Sequence, residues 1–144
     1  MSHNLLFKRY VDGKEAPYDL AKLRSILERH GADIRGPRKV GTYAGDFFVV
    51  LFPAQDDGDD ISGDEAGIFV EATGVIEFGI GRPIYGERLK RLAFELLQSL
   101  EICMHPDFGE EAFTVHLRAE HLPKDLLESC PKGLTTVREP GDLW

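Results

Sequence analysis

Six carboxylates crowd into the segment Gln55 to Glu65, QDDGDDISGDE: Asp56, Asp57, Asp59, Asp60, Asp64 and Glu65. Carboxylates at this density are hard oxygen donors, and Ca²⁺ takes about six to eight of them. The spacing does not match a calcium-binding helix-loop-helix, however. Counted from Asp57, the third acidic position is Ile61, the glycine position is Ser62 and the closing glutamate position is Ile68. Three readings remain for the segment: a hydrated connection held open by its own repulsion, an acidic surface that steers a basic partner, or an irregular cation site.

A second group could do acid-base chemistry. His105, Asp107 and His116, with Cys103 and His121 near them in sequence, are residue types that move protons or ligate zinc, and Arg82 could hold an anion beside them. Nothing local supports a metal: there is no H-E-x-x-H, and Cys103 and Cys130 do not form a C-x-x-C pair. Covalent catalysis has no G-x-S-x-G to rest on. The stretch GIGRPIYG, Gly79 to Gly86, enters a helix where a phosphate turn would sit. Ile84 stands where G-x-G-x-x-G needs glycine, and Glu87 and Arg88 stand where a P-loop needs Lys and Ser or Thr. Neither a cofactor nor a metal is expected.

Charge is unevenly spread along the 144 residues. The net charge is -8, yet residues 1–45 carry nine Lys or Arg against five acids, whereas residues 46–81 carry nine acids and no Lys or Arg at all. An acidic middle disfavours nucleic acid, whose phosphates draw on clustered positive charge, and favours a basic protein as partner. The first residues lack a long apolar stretch of the kind a secretory signal has, and no run approaches the roughly 20 apolar residues that cross a bilayer. A cytoplasmic location, with two reduced cysteines and no membrane, is expected.

The element that must position these groups is a helix over Gly86 to Leu100, GERLKRLAFELLQSL. Leu89, Leu92, Ala93, Leu96, Leu97 and Leu100 recur at three- and four-residue spacing and make one apolar stripe, while Glu87, Arg88, Arg91, Glu95 and Gln98 fall opposite. Phe94 lies off the stripe, either as a wedge at its margin or as an exposed aromatic anchor for a partner. A second amphipathic helix carries Leu20, Leu23, Ile26 and Leu27, with Pro17 at its start and Gly31 at its end.

Strands are expected over Leu5 to Tyr10, Asp46 to Phe52, Gly67 to Ala72, Val75 to Ile80 and from Phe113 onward, the third and fourth forming a hairpin about Thr73-Gly74. Ala32 to Gly45, which holds Arg35, Arg38 and Lys39, reads as a basic connector. A short helix after Pro123 and a last strand over Leu134 to Val137 follow. The run Ile102 to Met104 fits a last helical turn or a short strand.

These elements predict one α+β domain over residues 1–144, a mainly antiparallel sheet of about five strands with the two main helices packed on one face. The expected function is a non-enzymatic, protein-binding module, a neutralising partner of a basic protein in the manner of bacterial immunity proteins. Asp56, Asp57, Asp59, Asp60, Asp64, Glu65 and Phe94 would form its contact surface. The alternative is a small hydrolase or metal-assisted enzyme built on Arg82, His105, Asp107 and His116.

Overall fold

Alternating burial makes a strand of Asn4–Val11 (β1), in which Leu5 and Phe7 are buried on one side and Tyr10 on the other. The computed structural model describes residues 4–53, 61, 66–106, 111–114, 122–128, 130 and 133–143. Asp12 and Gly13, both at positive φ (51° and 80°), turn the chain tightly so that Lys14–Ala16 (β2) pairs back on β1. The first helix, Leu20–Arg29 (α1), does not begin at Pro17. Tyr18 exchanges backbone hydrogen bonds with Val75 at 3.0 and 2.8 Å, which holds this stretch extended. Asp19 then caps the helix by accepting from the Lys22 amide.

Asp33–Arg38 (β3), Asp46–Leu51 (β4), Ala66–Glu71 (β5) and Gly74–Gly81 (β6) follow as an antiparallel meander, and Glu87–Leu100 (α2) comes next. Cys103–Pro106 (β7), Glu111–Thr114 (β8), Lys124–Glu128 (α3) and Gly133–Thr136 (β9) follow, with a 3₁₀ turn over Pro140–Asp142 after them. The sheet order is β3-β4-β5-β6-β1-β7-β8-β9, with β2 also on β1, and β8–β9 is a parallel pair. The fold is α+β, as expected, but the mixed sheet has nine strands among the described residues rather than about five.

Each unexpected strand has a local reason. The first half of the stretch expected as a basic connector is β3, an edge strand that contains Gly36 and Pro37 and a break in register between Arg35 and Arg38, while residues 39–45 connect it to β4. Proline, irregularity and charge are how an edge is kept from pairing further, so an edge strand reads as loop. Two of the stretch's three cations are locally paired: Arg35 with Asp33 and Lys39 with Asp46, both at 2.9 Å. The run Ile102 to Met104 is not a helical turn. Glu101 takes a left-handed conformation (φ 53°) that ends α2 and sends the chain into β7. On β6 the register shifts after Phe69, so Val75 is buried along with Phe78 and Ile80, while Ile76 is only half-buried.

One large apolar cluster joins Leu23, Ile26 and Leu27 of α1 and the whole α2 stripe to Leu5, Phe7, Phe48, Val50, Ile68, Phe78, Ile80 and Met104. Register places these strand residues on the same face, since Phe7 pairs with Phe78 and Met104, and Ile68 with Phe78 and Phe48. Phe94 is half-buried and packs against this cluster. Arg88, expected on the solvated side of α2, is instead buried: its guanidinium donates to the carbonyls of His30 (3.0 Å) and Pro53 (3.3 Å). It thereby satisfies the C-terminal end of α1 with positive charge, as the helix dipole favours. Glu95 reaches Arg29 (3.0 Å) and His30 (3.3 Å) across the helix pair, rather than Arg91 along its own helix.

Leu96 is fully buried at the centre of the stripe. Leu96→Ala should lower unfolding free energy by about 2 to 5 kcal/mol through lost burial and a cavity. Urea denaturation checks this; a loss below about 0.5 kcal/mol would place the residue at solvent.

Candidate functional site

The alternate residues of the same strands form the other face of the sheet, and they differ sharply in kind. Leu6 pairs with Gly79, Gly79 with Gly67, and Phe69 with both Phe47 and Glu77. Two glycines side by side leave a strip of sheet without side chains. The Phe47 ring lies over one of them, for a Cβ added at Gly67 would collide with Cε2 and Cζ of that ring. Gly79 stays open: a Cβ there meets only Leu6 Cδ2 at 3.5 Å and the Glu77 carboxylate at 4.0 Å among side chains. The outcome is a groove of about 330 Å³ whose walls are Phe47 and Phe69 on one side and Leu6 on the other, with Glu77 at its margin.

The aromatic wall is a packed unit. Phe47 and Phe69 sit 4.9 Å apart between ring centroids, and Tyr43 meets Phe69 edge-on at 5.3 Å. The Tyr43 hydroxyl is shut off from solvent with no hydrogen-bond partner. Burial first, then Glu71, raises its pKa. At the groove's margin Lys8 binds Glu15 at 2.6 Å and Glu77 at 3.3 Å. Partial burial pulls the Lys8 pKa down, but the two carboxylates outweigh it and the net shift is upward. One ammonium against two carboxylates leaves this trio with a formal charge of -1.

Farther along the same face, a small second core closes the sheet. Tyr10, Cys103, Ala112, Leu122 and Cys130 are buried together, with Leu126 of α3 packed on them. His105 lies in this region, 7% exposed. Its Nδ1 is 3.2 Å from the Pro106 carbonyl and its Nε2 is 3.4 Å from the Tyr10 hydroxyl. A carbonyl only accepts, so Nδ1 carries the proton, and in the neutral ring Nε2 accepts from Tyr10. Both cysteines are buried free thiols.

The sequence candidates fall in three places. Asp56, Asp57, Asp59, Asp60, Asp64 and Glu65 lie outside the described residues, as do Asp107, His116 and His121. Ile61, inside the acidic segment, is fully buried in the main cluster, and its carbonyl accepts from the Ile84 amide at 3.0 Å. Ile84 and Tyr85 are 39% and 49% exposed. Arg82 is exposed and left-handed (φ 48°) just past β6, whereas His105 is buried two strands away on β7, about 10 Å across the sheet at ordinary strand spacing. Among the described residues no three His, Cys, Asp or Glu side chains cluster to hold a metal. A second cavity, of about 390 Å³, lies between Arg9, Lys22, Asp19 and Glu101, where acids and bases balance.

Sequence reasoning passed over the groove. Its signal was present, since Gly67, Gly79 and Gly81 interrupt strand patterns, but the last two drew attention as a phosphate turn. No family model matches the chain, and no curated protein and no solved structure matches it either.

Burial, and after it Cys130, pushes the Cys103 thiol from 9.0 up to about 12. Burial, and after it Cys103, raises the Tyr10 hydroxyl as well. Both groups stay neutral in the folded chain and ionise earlier in the unfolded one. The stability they add is complete below about pH 9 and drains away as pH rises toward about 12. Urea midpoints should fall from pH 9 upward, and less steeply in Cys103→Ala; an equal fall in both would exclude Cys103 as a cause.

Proposed function

We propose that this chain is a non-enzymatic, acidic protein-binding module whose partner is a basic protein, which it neutralises by occupying that protein's cationic surface. On this reading α1 and α2 both cover one sheet face, and the binding surface lies where the acidic middle of the chain meets exposed apolar groups. The observation that carries the reading is the anchoring of Ile61. Ile61, which lies between the carboxylates of the acidic segment in sequence, has its side chain in the core and its carbonyl on the amide of exposed Ile84, next to exposed Tyr85. Asp59 and Asp60 precede Ile61 directly in sequence.

Carboxylates and an exposed apolar pair are the ingredients of a steered interface: charge speeds encounter and the apolar anchor holds the complex. The burial of Arg88 and the local pairing of Arg35 and Lys39 remove cations that would otherwise compete. No helix among the described residues is long and apolar enough to cross a membrane. A cytoplasmic setting belongs to this proposal.

The test is capture from native lysate on immobilised wild-type chain and on a chain with Asp56, Asp57, Asp59, Asp60, Asp64 and Glu65 changed to Asn or Gln. A basic protein should bind the first and be lost from the second. Its association rate should fall about ten- to a hundredfold at low salt on neutralisation, and high salt should narrow the gap. Equal capture and an unchanged rate on both chains would overturn the reading.

A further inference from the structure

We propose that the glycine-floored groove between β4 and β1 receives an arginine side chain of the basic partner. This rests on the reading above and adds a second contact with its own geometry. An arginine brings three things a site must match: a flat apolar stem, a planar cation that stacks on aromatic faces, and a fork of donors. The groove offers a counterpart to each. The stem fits over Gly79, where no side chain stands and Leu6 forms the far wall at van der Waals distance. The guanidinium meets the Phe47 and Phe69 rings, a cation-π contact. The Glu77 carboxylate, close to the Gly79 floor, takes the donors.

Charge selects the occupant. Lys8 is held by both Glu15 and Glu77, so among the described residues this trio leaves one net negative charge at the groove margin. Strands β4, β5 and β6, which form most of the floor and the aromatic wall, contain no Lys or Arg. An anion would find carboxylate in the groove and its one ammonium already engaged. A purely apolar ligand would leave the Glu77 charge without a new partner, so a cation with a flat, greasy body fits best. Lysine lacks the planar head that stacks and forks.

The groove can be filled without unfolding the chain. Gly79 lies in a strand interior with room for a Cβ, and a β-branched residue suits a strand, so Gly79→Val should fold with stability equal to or above wild type. The probe is a blocked peptide rich in arginine, compared with the same peptide in which citrulline replaces each arginine, followed by amide NMR on the full chain. The arginine peptide should shift the amides of Leu6, Gly67, Phe69 and Gly79. The citrulline peptide should not, and Gly79→Val and Glu77→Gln should each weaken binding about tenfold. Unshifted groove amides, or equal affinity in Gly79→Val, would overturn the proposal. Neutralising the acidic segment separates the two ideas: it should slow association with the basic partner while the groove amides still respond to the arginine peptide. If instead the groove shifts vanish with the segment's charge, the groove is not a site in its own right and the inference fails.

Discussion

The apolar stripe of α2 must leave water, and the molecule offers one sheet face able to take it. Burying a leucine is worth about 1.5 to 3 kcal/mol, so the five stripe leucines together contribute on the order of 10 kcal/mol, as much as the net stability of a typical domain. That term fixes which way every strand must face. A one-residue slip in β1 would exchange Leu5 and Phe7 for Leu6 and Lys8 in the main apolar cluster, and the same holds for Phe78 and Ile80 against Glu77 and Gly79 on β6. Arg88 then locks the assembly at one end, joining the end of α1 to the chain beyond β4 through two carbonyls.

Committing the apolar residues to one face leaves the other to be managed with less. Over β7 and β8 the chain closes it with α3 and a small core around Tyr10 and Cys103. Over β4, β5, β6 and β1 it places glycines, two phenylalanines and a carboxylate, and a groove remains. Residues 46–81 supply three of the four groove strands and the acidic segment, and they carry no Lys or Arg. Shape and charge therefore point to the same kind of occupant, a cationic group on an apolar stem. The buried His105, engaged through both ring nitrogens, belongs to the closed half and is not presented to solvent.

What could be read from the sequence follows from how local each signal is. The α2 stripe, the β5–β6 hairpin and the α+β class are written in periodicity and turn residues a few positions apart, and they were legible. β3 was not, because a protected edge strand is built from the residues that otherwise mark a loop. Arg88 was not, because helical geometry puts it near the margin of the stripe and only the meeting of α1 with β4's end decides that it is buried. The groove's glycines stand out in the strand patterns, but their meeting was illegible: Gly67 and Gly79 are twelve residues apart and become neighbours only through register. Ile61 looked like a stray apolar residue in an acidic run, and its place in the core depends on a contact with Ile84 that no local pattern encodes.

The account's central claim is that adjacent residues of β1 face two different environments, a closed core and an open groove. Methyl-labelled protein with a soluble paramagnetic chelate reads this directly, because broadening reports access of the probe to each methyl group. Leu5 is 1% exposed and Leu6 lines the groove. The account predicts strong broadening of the Leu6 methyls and none at Leu5. Leu6 methyls as protected as those of Leu5 would mean that the groove face is covered in solution, and would contradict it.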